Sequence, residues 1–117
     1  MDDISFLSNY YTKCSDFLLH TDVTQKVIDA KIIILQTKIS SKKIIFVGNG
    51  ASASIANHAS LDFTKQGKVK SVNFNESAFI TAFSNDYGYE NWVSKALECY
   101  GEQGDTLILI SCSGTSA

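Results

Sequence analysis

Hydrophobic positions in the first forty residues recur at spacings of three and four, the period of a helix with one apolar face. Ile4, Leu7, Tyr11, Cys14 and Leu18 form one such stripe. A second helix is expected to begin near Thr21 or Asp22, either of which suits an N-cap. It carries two stripes, Val23, Val27, Ala30 and Ile34 beside Ile28, Ile32, Leu35 and Ile39. So wide an apolar surface calls for burial on more than one side. Ser40-Ser41 interrupts the pattern, and the period then changes. Residues 43–47 (KIIFV) read as a continuous strand covered on both faces. Gly48-Asn49-Gly50 is a turn, and 51–66 a helix ended by Gly67. A less apolar strand is expected over 69–74, a short helix over 76–84, and a polar and aromatic loop over 85–89. A helix over 91–100 ends at Gly101, and 106–110 (TLILI) is a third doubly covered strand. Small residues follow, Ser111 to Ser116.

This alternation predicts an α/β fold with a parallel sheet and crossover helices. The expected architecture is a three-layer α/β/α, doubly wound, flavodoxin-like sheet preceded by two helices. With 117 residues there is room for one small domain. Residues 1–40 form its helical N-terminal segment, and 43–117 the first half of the sheet. A serine-rich turn after a buried strand normally opens a helix, so the sequence reads as the N-terminal part of a longer domain.

Composition narrows the function. The net charge of −2 leaves no basic footprint for nucleic acid or an anionic membrane. Apolar runs no longer than four residues, such as Ile44 to Val47, cannot span a bilayer. The acidic start, Met-Asp-Asp, is unlike a signal peptide. Three cysteines, Cys14, Cys99 and Cys112, lack metal-type or redox-type spacing. The expected setting is the cytoplasm, with reduced thiols.

The candidate chemistry lies in two polar turns, Gly48 to Ser52 after the first strand and Ser111 to Ser116 after the third. Small residues let backbone N–H groups approach an anion, and a following helix N-terminus adds positive potential. In a flavodoxin-like order these two strands are neighbours, so both turns flank one crevice. That predicts a phosphate or sugar site; for each turn alone, an ordinary connection explains it equally well. Gly48-x-Gly50-x-x-Ala53 also resembles a relaxed dinucleotide fingerprint, but residues 69–74 offer no acidic residue for a ribose, and Glu76 comes late. His58 and Asp62 share a helix face. They read as a metal-ligand pair, as a carboxylate base beside an imidazole, or as a plain surface ion pair. Asn85-Asp86 reads as an Asx-type turn, a role compatible with binding sugar hydroxyls.

Taken in order, these motifs resemble a known family. Val-Gly-Asn-Gly-Ala-Ser, His58 with an acidic residue four later, Asn-Asp-Tyr-Gly-Tyr and Gly-Asp-x-Leu-x-x-x-Ser-x-Ser-Gly-x-Ser are similar to the phosphoheptose isomerase branch of sugar-isomerase (SIS) domains. The resemblance covers about residues 43–117. It implies an enzyme that converts sedoheptulose 7-phosphate to a heptose 7-phosphate. It further implies that Asn49, Gly50, Ala51 and Ser52 line the sugar-phosphate pocket, that Asn85 and Asp86 contact the sugar, and that Ser111, Cys112, Ser113 and Ser116 hold the phosphate. His58 would be a zinc ligand, and Asp62 stands where the family has a glutamate serving as base and ligand. Cys112 replaces a usual threonine and Thr115 a common asparagine. The family's second catalytic histidine and a glutamine ligand fall in a later half that this sequence does not contain. A homotetramer with the first two helices at an interface is also implied. Some members of this branch are non-catalytic regulators, one associating with the replication initiator; an acid at position 62 favours the enzyme.

Overall fold

A computed structural model describes residues 2–19 and 22–115. Two compact units divide the chain, Met1–Ile32 and Ile33–Ala117. In the first, α1 (Asp3–Leu19) opens with Asp2, whose carboxylate accepts from the Ser5 N–H at 2.9 Å. Helix α2 (Thr24–Ile39) runs across the division between the units. Val23 supplies the first helical carbonyl, to the Val27 N–H at 3.0 Å, so it holds the cap position, and Asp22 just before it accepts the Thr24 N–H at 3.1 Å in an Asx-type turn; Thr21 lies outside the described residues.

The second unit contains β1 (Ile44–Gly48), α3 (Ala51–Lys65), β2 (Ser71–Asn73), α4 (Ser77–Tyr87), a short 3₁₀ turn (Tyr89–Asn91), α5 (Trp92–Tyr100) and β3 (Thr106–Ile110). The strands form one parallel sheet in the order β2-β1-β3, so the flavodoxin-like order holds. Ile44 pairs with Ser71 on one side and Thr106 on the other, and Gly48 reaches Ile110.

β1 is central, and alternation sends its side chains into two cores. Ile44 and Phe46 meet Ala56, Val69, Phe63, Ile108 and the α2 residue Ile34. Ile45 and Val47 meet Phe74, Trp92, Ala96 and the aromatic face of α4. Ile44 and Ile45 are 0% and 1% exposed, so each contributes about 1.5–3 kcal/mol by burial alone. The three layers follow: α3 and the end of α2, the sheet, then α4 with α5.

Three elements differ from expectation. β2 is shorter than 69–74, because the Asn75 N–H bonds the Asn73 side chain at 3.0 Å and turns the backbone out of the ladder. α4 runs past 84 to Tyr87, so Asn85 and Asp86 sit in its last turn and not in a loop. The cause is an aromatic row at four-residue spacing: Phe79 stacks on Phe83 at 4.3 Å, and Phe83 meets Tyr87 at 5.7 Å. Gly88, with φ of 88°, ends the helix. Among the described residues, β3 is covered on one face: Ile108 and Ile110 pack inward, while Leu107 and Leu109 are 41% and 67% exposed. The core on that side is built from β1 and from Phe74, with α4 and α5 above them.

A turn rich in charge sets the base of β3. Asp105 is 7% exposed and meets Lys43 Nζ at 2.7 Å. It also accepts the backbone N–H groups of Lys43, at 3.1 Å, and Glu102, at 2.8 Å. Burial pushes its carboxyl up, but the Lys43 ammonium and these N–H groups outweigh that and hold it below the ordinary aspartate range.

Candidate functional site: a cleft between two polar turns

Both polar turns leave the carboxyl ends of adjacent strands, β1 and β3. Between them lies a cleft of about 600 Å³, within the range of small-molecule sites. Gly48, Asn49 and Ser52 form one wall, and Ser111, Cys112 and Ser113 another. Tyr89, Glu90, Trp92 and Val93 close a third side.

Glycine is required twice in the first turn. A Cβ on Gly48 would stand 2.3 Å from the Ser52 carbonyl oxygen, so only glycine lets α3 start this close to β1. Gly50 has φ of 56° and ψ of −125°, a backbone that side chains other than hydrogen avoid. The first turn of α3 therefore opens beside the cleft, with the helix dipole behind it. Across from it, Ser111 Oγ accepts the Gly114 N–H at 2.9 Å, and Ser113 Oγ accepts the Thr115 N–H at 3.2 Å. These bonds fold the loop into a compact turn. A serine hydroxyl that accepts a backbone N–H, as Ser111 Oγ does, is also able to donate.

Of the residues expected to bind substrate, the cleft collects Asn49, Ser52, Ser111, Cys112 and Ser113. Gly50 and Ala51 shape the turn and the start of α3 but do not line the cleft. Asn85 and Asp86 are exposed on α4 and hydrogen-bonded to each other at 3.0 Å, also outside the lining. Ser116 lies outside the described residues.

His58 and Asp62 do not line the cleft. α3 turns Ser52, Ala56 and Ser60 into the fold, and its period carries residues 58 and 62 onto a flank. There they border a separate open groove with Ser54, Ile55, Ala59 and Phe63. His58 Nε2 stands 3.3 Å from Asp62 Oδ2, with side chains 75% and 43% exposed. That separation is that of the plain surface pair read from the sequence, and it is also compatible with the edge of a tetrahedral zinc site with bonds of about 2.0–2.1 Å. Among the described residues, no group of three or more His, Cys, Asp or Glu side chains is placed to hold a metal.

Sequence reasoning overlooked Tyr89, Glu90 and Trp92 as cleft residues. The signal for Tyr89 was present in the Tyr-Gly-Tyr run, but its role depends on a contact across forty positions: its hydroxyl donates to Asn49 Oδ1 at 2.7 Å. The dinucleotide reading loses its last acid, since the Glu76 carboxylate caps α4 by accepting from Ala78 and Phe79 at 3.2 and 2.9 Å. The bonds from Phe79 and Ala78 lower its pKa.

A ligand cleft at the carboxyl edge of a parallel sheet, where the central strand meets a non-consecutive neighbour, defines the class of switch-point α/β proteins. No family model matches the chain. Curated phosphoheptose isomerases are similar to it: that of Buchnera aphidicola is 33% identical, with 86% of this chain and 55% of the relative covered. That of Helicobacter pylori is 34% identical, covering 86% and 60%. The solved structure of phosphoheptose isomerase GmhA from Neisseria gonorrhoeae superposes with a TM-score of 0.81 at 27% identity, covering 96% of this chain and 62% of that one. The chain is a relative of the phosphoheptose isomerases over the stretch it shares with them. It spans between about half and two thirds of their length. Among the described residues, no helix is long and apolar enough to cross a membrane.

Proposed function

We propose that this chain carries the phosphate-binding part of a phosphoheptose isomerase that converts sedoheptulose 7-phosphate to a heptose 7-phosphate. The observation that carries this reading is the joining of two small-residue turns into one cleft beside a helix N-terminus, in a relative of such isomerases. Ser111, Cys112, Ser113 and Ser116 hold the phosphate, and Asn49 and Ser52 the adjoining oxygens. Asn85 and Asp86, outside the cleft lining, are proposed to contact sugar hydroxyls.

The proposed reaction moves a carbonyl by one carbon. A base takes a proton from C1 of the ketose while the C2 oxygen gains one, giving an enediol. The base returns its proton to C2, the C1 hydroxyl loses its proton, and an aldehyde remains. A carboxylate suits this shuttle because it gives back what it takes, and Asp62 is assigned that role. Asp62 stands ten positions after Ser52 on α3, about 15 Å along the axis at 1.5 Å per residue, and borders the neighbouring groove, so a substrate that reaches it must extend beyond the cleft. Asp62 leans back towards the helix start. His58 and Asp62 would hold zinc with further ligands from outside the described residues; when bound, zinc polarises the substrate oxygens. The working form is a cytoplasmic homotetramer.

Titration of the whole protein with sedoheptulose 7-phosphate, followed by an assay for the aldose product, tests the reading. Ser113→Glu should abolish binding, since it fills the cleft and repels the phosphate. Survival of binding in that variant would remove the phosphate assignment, and absence of turnover in the unaltered protein would remove the enzyme.

A further inference from the structure

The hydrogen bond between Tyr89 and Asn49 joins two segments distant in sequence, just above the place where Val47 and Trp92 pack in one core. Asn49 belongs to the turn after β1, and Tyr89 to the 3₁₀ turn between α4 and α5. Both line the cleft, and the bond of 2.7 Å crosses between its walls. We propose that Tyr89 is a positioning residue: it fixes which edge of the Asn49 amide a ligand meets. The inference rests on the functional reading above and adds a residue to that site.

An asparagine side chain has two edges of nearly equal shape and opposite chemistry, one accepting and one donating. Rotation by half a turn exchanges them. A phosphate or a hydroxyl-rich sugar phosphate is dense in acceptor oxygens, so binding needs the N–H edge. The Tyr89 hydroxyl donates to Oδ1 and so leaves the two Nδ2 protons as the part of Asn49 available to a ligand.

The backbone around Tyr89 is built to hold that hydroxyl in place. Gly88 has φ of 88°, a conformation that favours glycine. Asn91 closes the turn twice, through its N–H to the Gly88 carbonyl at 3.1 Å and its Nδ2 to the Tyr87 carbonyl at 2.9 Å. Trp92, 5% exposed, anchors the next residue in the core. The run Tyr-Gly-Tyr-Glu-Asn-Trp is thus a hydrogen-bonded bracket, anchored at Trp92, that carries Tyr89.

The test is a double-mutant cycle in the whole protein, with sedoheptulose 7-phosphate as the probe and thermal unfolding measured alongside. Tyr89→Phe removes one oxygen and keeps the ring that walls the cleft. It should weaken binding by about 2- to 12-fold, the range of one net hydrogen bond, and lower the unfolding midpoint by no more than the loss of that one bond accounts for. In an Asn49→Ala background the same change should cost nothing further, because the group Tyr89 acts through is gone. In steady-state kinetics the Tyr89→Phe loss should fall on KM, with kcat retained. Losses that add across the cycle would mean that Tyr89 touches the ligand itself or only supports the wall, and would overturn the positioning role alone. Unchanged binding in Tyr89→Phe would also overturn it while the functional reading stands. Failure of the unaltered protein to bind the probe would remove the functional reading and this inference together.

Discussion

At the scale of single residues, two carboxylates show how surroundings decide a role. Asp105 is spent on structure: its folded pKa lies below the ordinary aspartate value, so it adds stability that is present above that value and is lost as pH falls through the folded one. Asp105→Asn should therefore destabilise at neutral pH and converge with the parent protein in acid, as read by urea unfolding at several pH values. The loss should fall short of the about 3–5 kcal/mol typical of a broken buried ion pair, since Lys43 keeps 20% exposure and Glu102 at 3.8 Å. Asp62 is the opposite case, 43% exposed and placed on a helix flank. Asp62→Asn keeps its size and removes the proposed base, so turnover should drop by orders of magnitude with phosphosugar binding kept. Asp62→Glu should preserve or raise turnover, because a base misplaced by about 1 Å can cost on the order of 100-fold. Near-normal isomerisation by Asp62→Asn would eliminate it as the base.

At the scale of elements, the site depends on how closely α3 begins to β1. Gly48→Ala would drive its methyl group into backbone atoms of Ser52 and Ala53, which cannot rotate away. The start of α3 must move, at a cost of about 1–3 kcal/mol as for other overpacked positions. The expected outcome is a lower unfolding midpoint together with weaker sugar-phosphate binding; a variant matching the parent in both would show that the crossing has slack. This glycine turn was legible in the sequence because its chemistry is local. So was the order of helices and strands, since the change of period at Ser40-Ser41 is a local signal. The length of α4 was not. Asn85-Asp86 looks like a turn by local preference, and the aromatic row from Phe79 to Tyr87 overrides that preference through packing. The exposure of one face of β3 was equally hidden, because a run such as TLILI reports apolar side chains and not the layers above them. Tyr89 escaped for the same reason: its partner lies forty positions away.

At the scale of the whole molecule, the argument concerns apolar surface. α1 has no buried residue, and Ile4, Phe17 and Leu18 are 81%, 74% and 75% exposed. Along α2, Val27 and Ile39 are 61% and 82% exposed, while Thr37 is buried. Burial of apolar surface is worth about 25 cal/mol per Å², so helices of this kind are stabilised by a partner surface. The proposed homotetramer supplies one from further copies of the same chain, with α1 and α2 at the contacts. Light scattering of the whole protein should give four times the subunit mass. Phe17→Asp with Leu18→Asp should shift that mass downward, because two charges would enter an apolar contact. The parallel sheet, built from residues outside α1, should keep its far-ultraviolet signature in the same sample. A stable monomer in the parent protein, or a tetramer indifferent to both charges, would show that these helices serve another purpose.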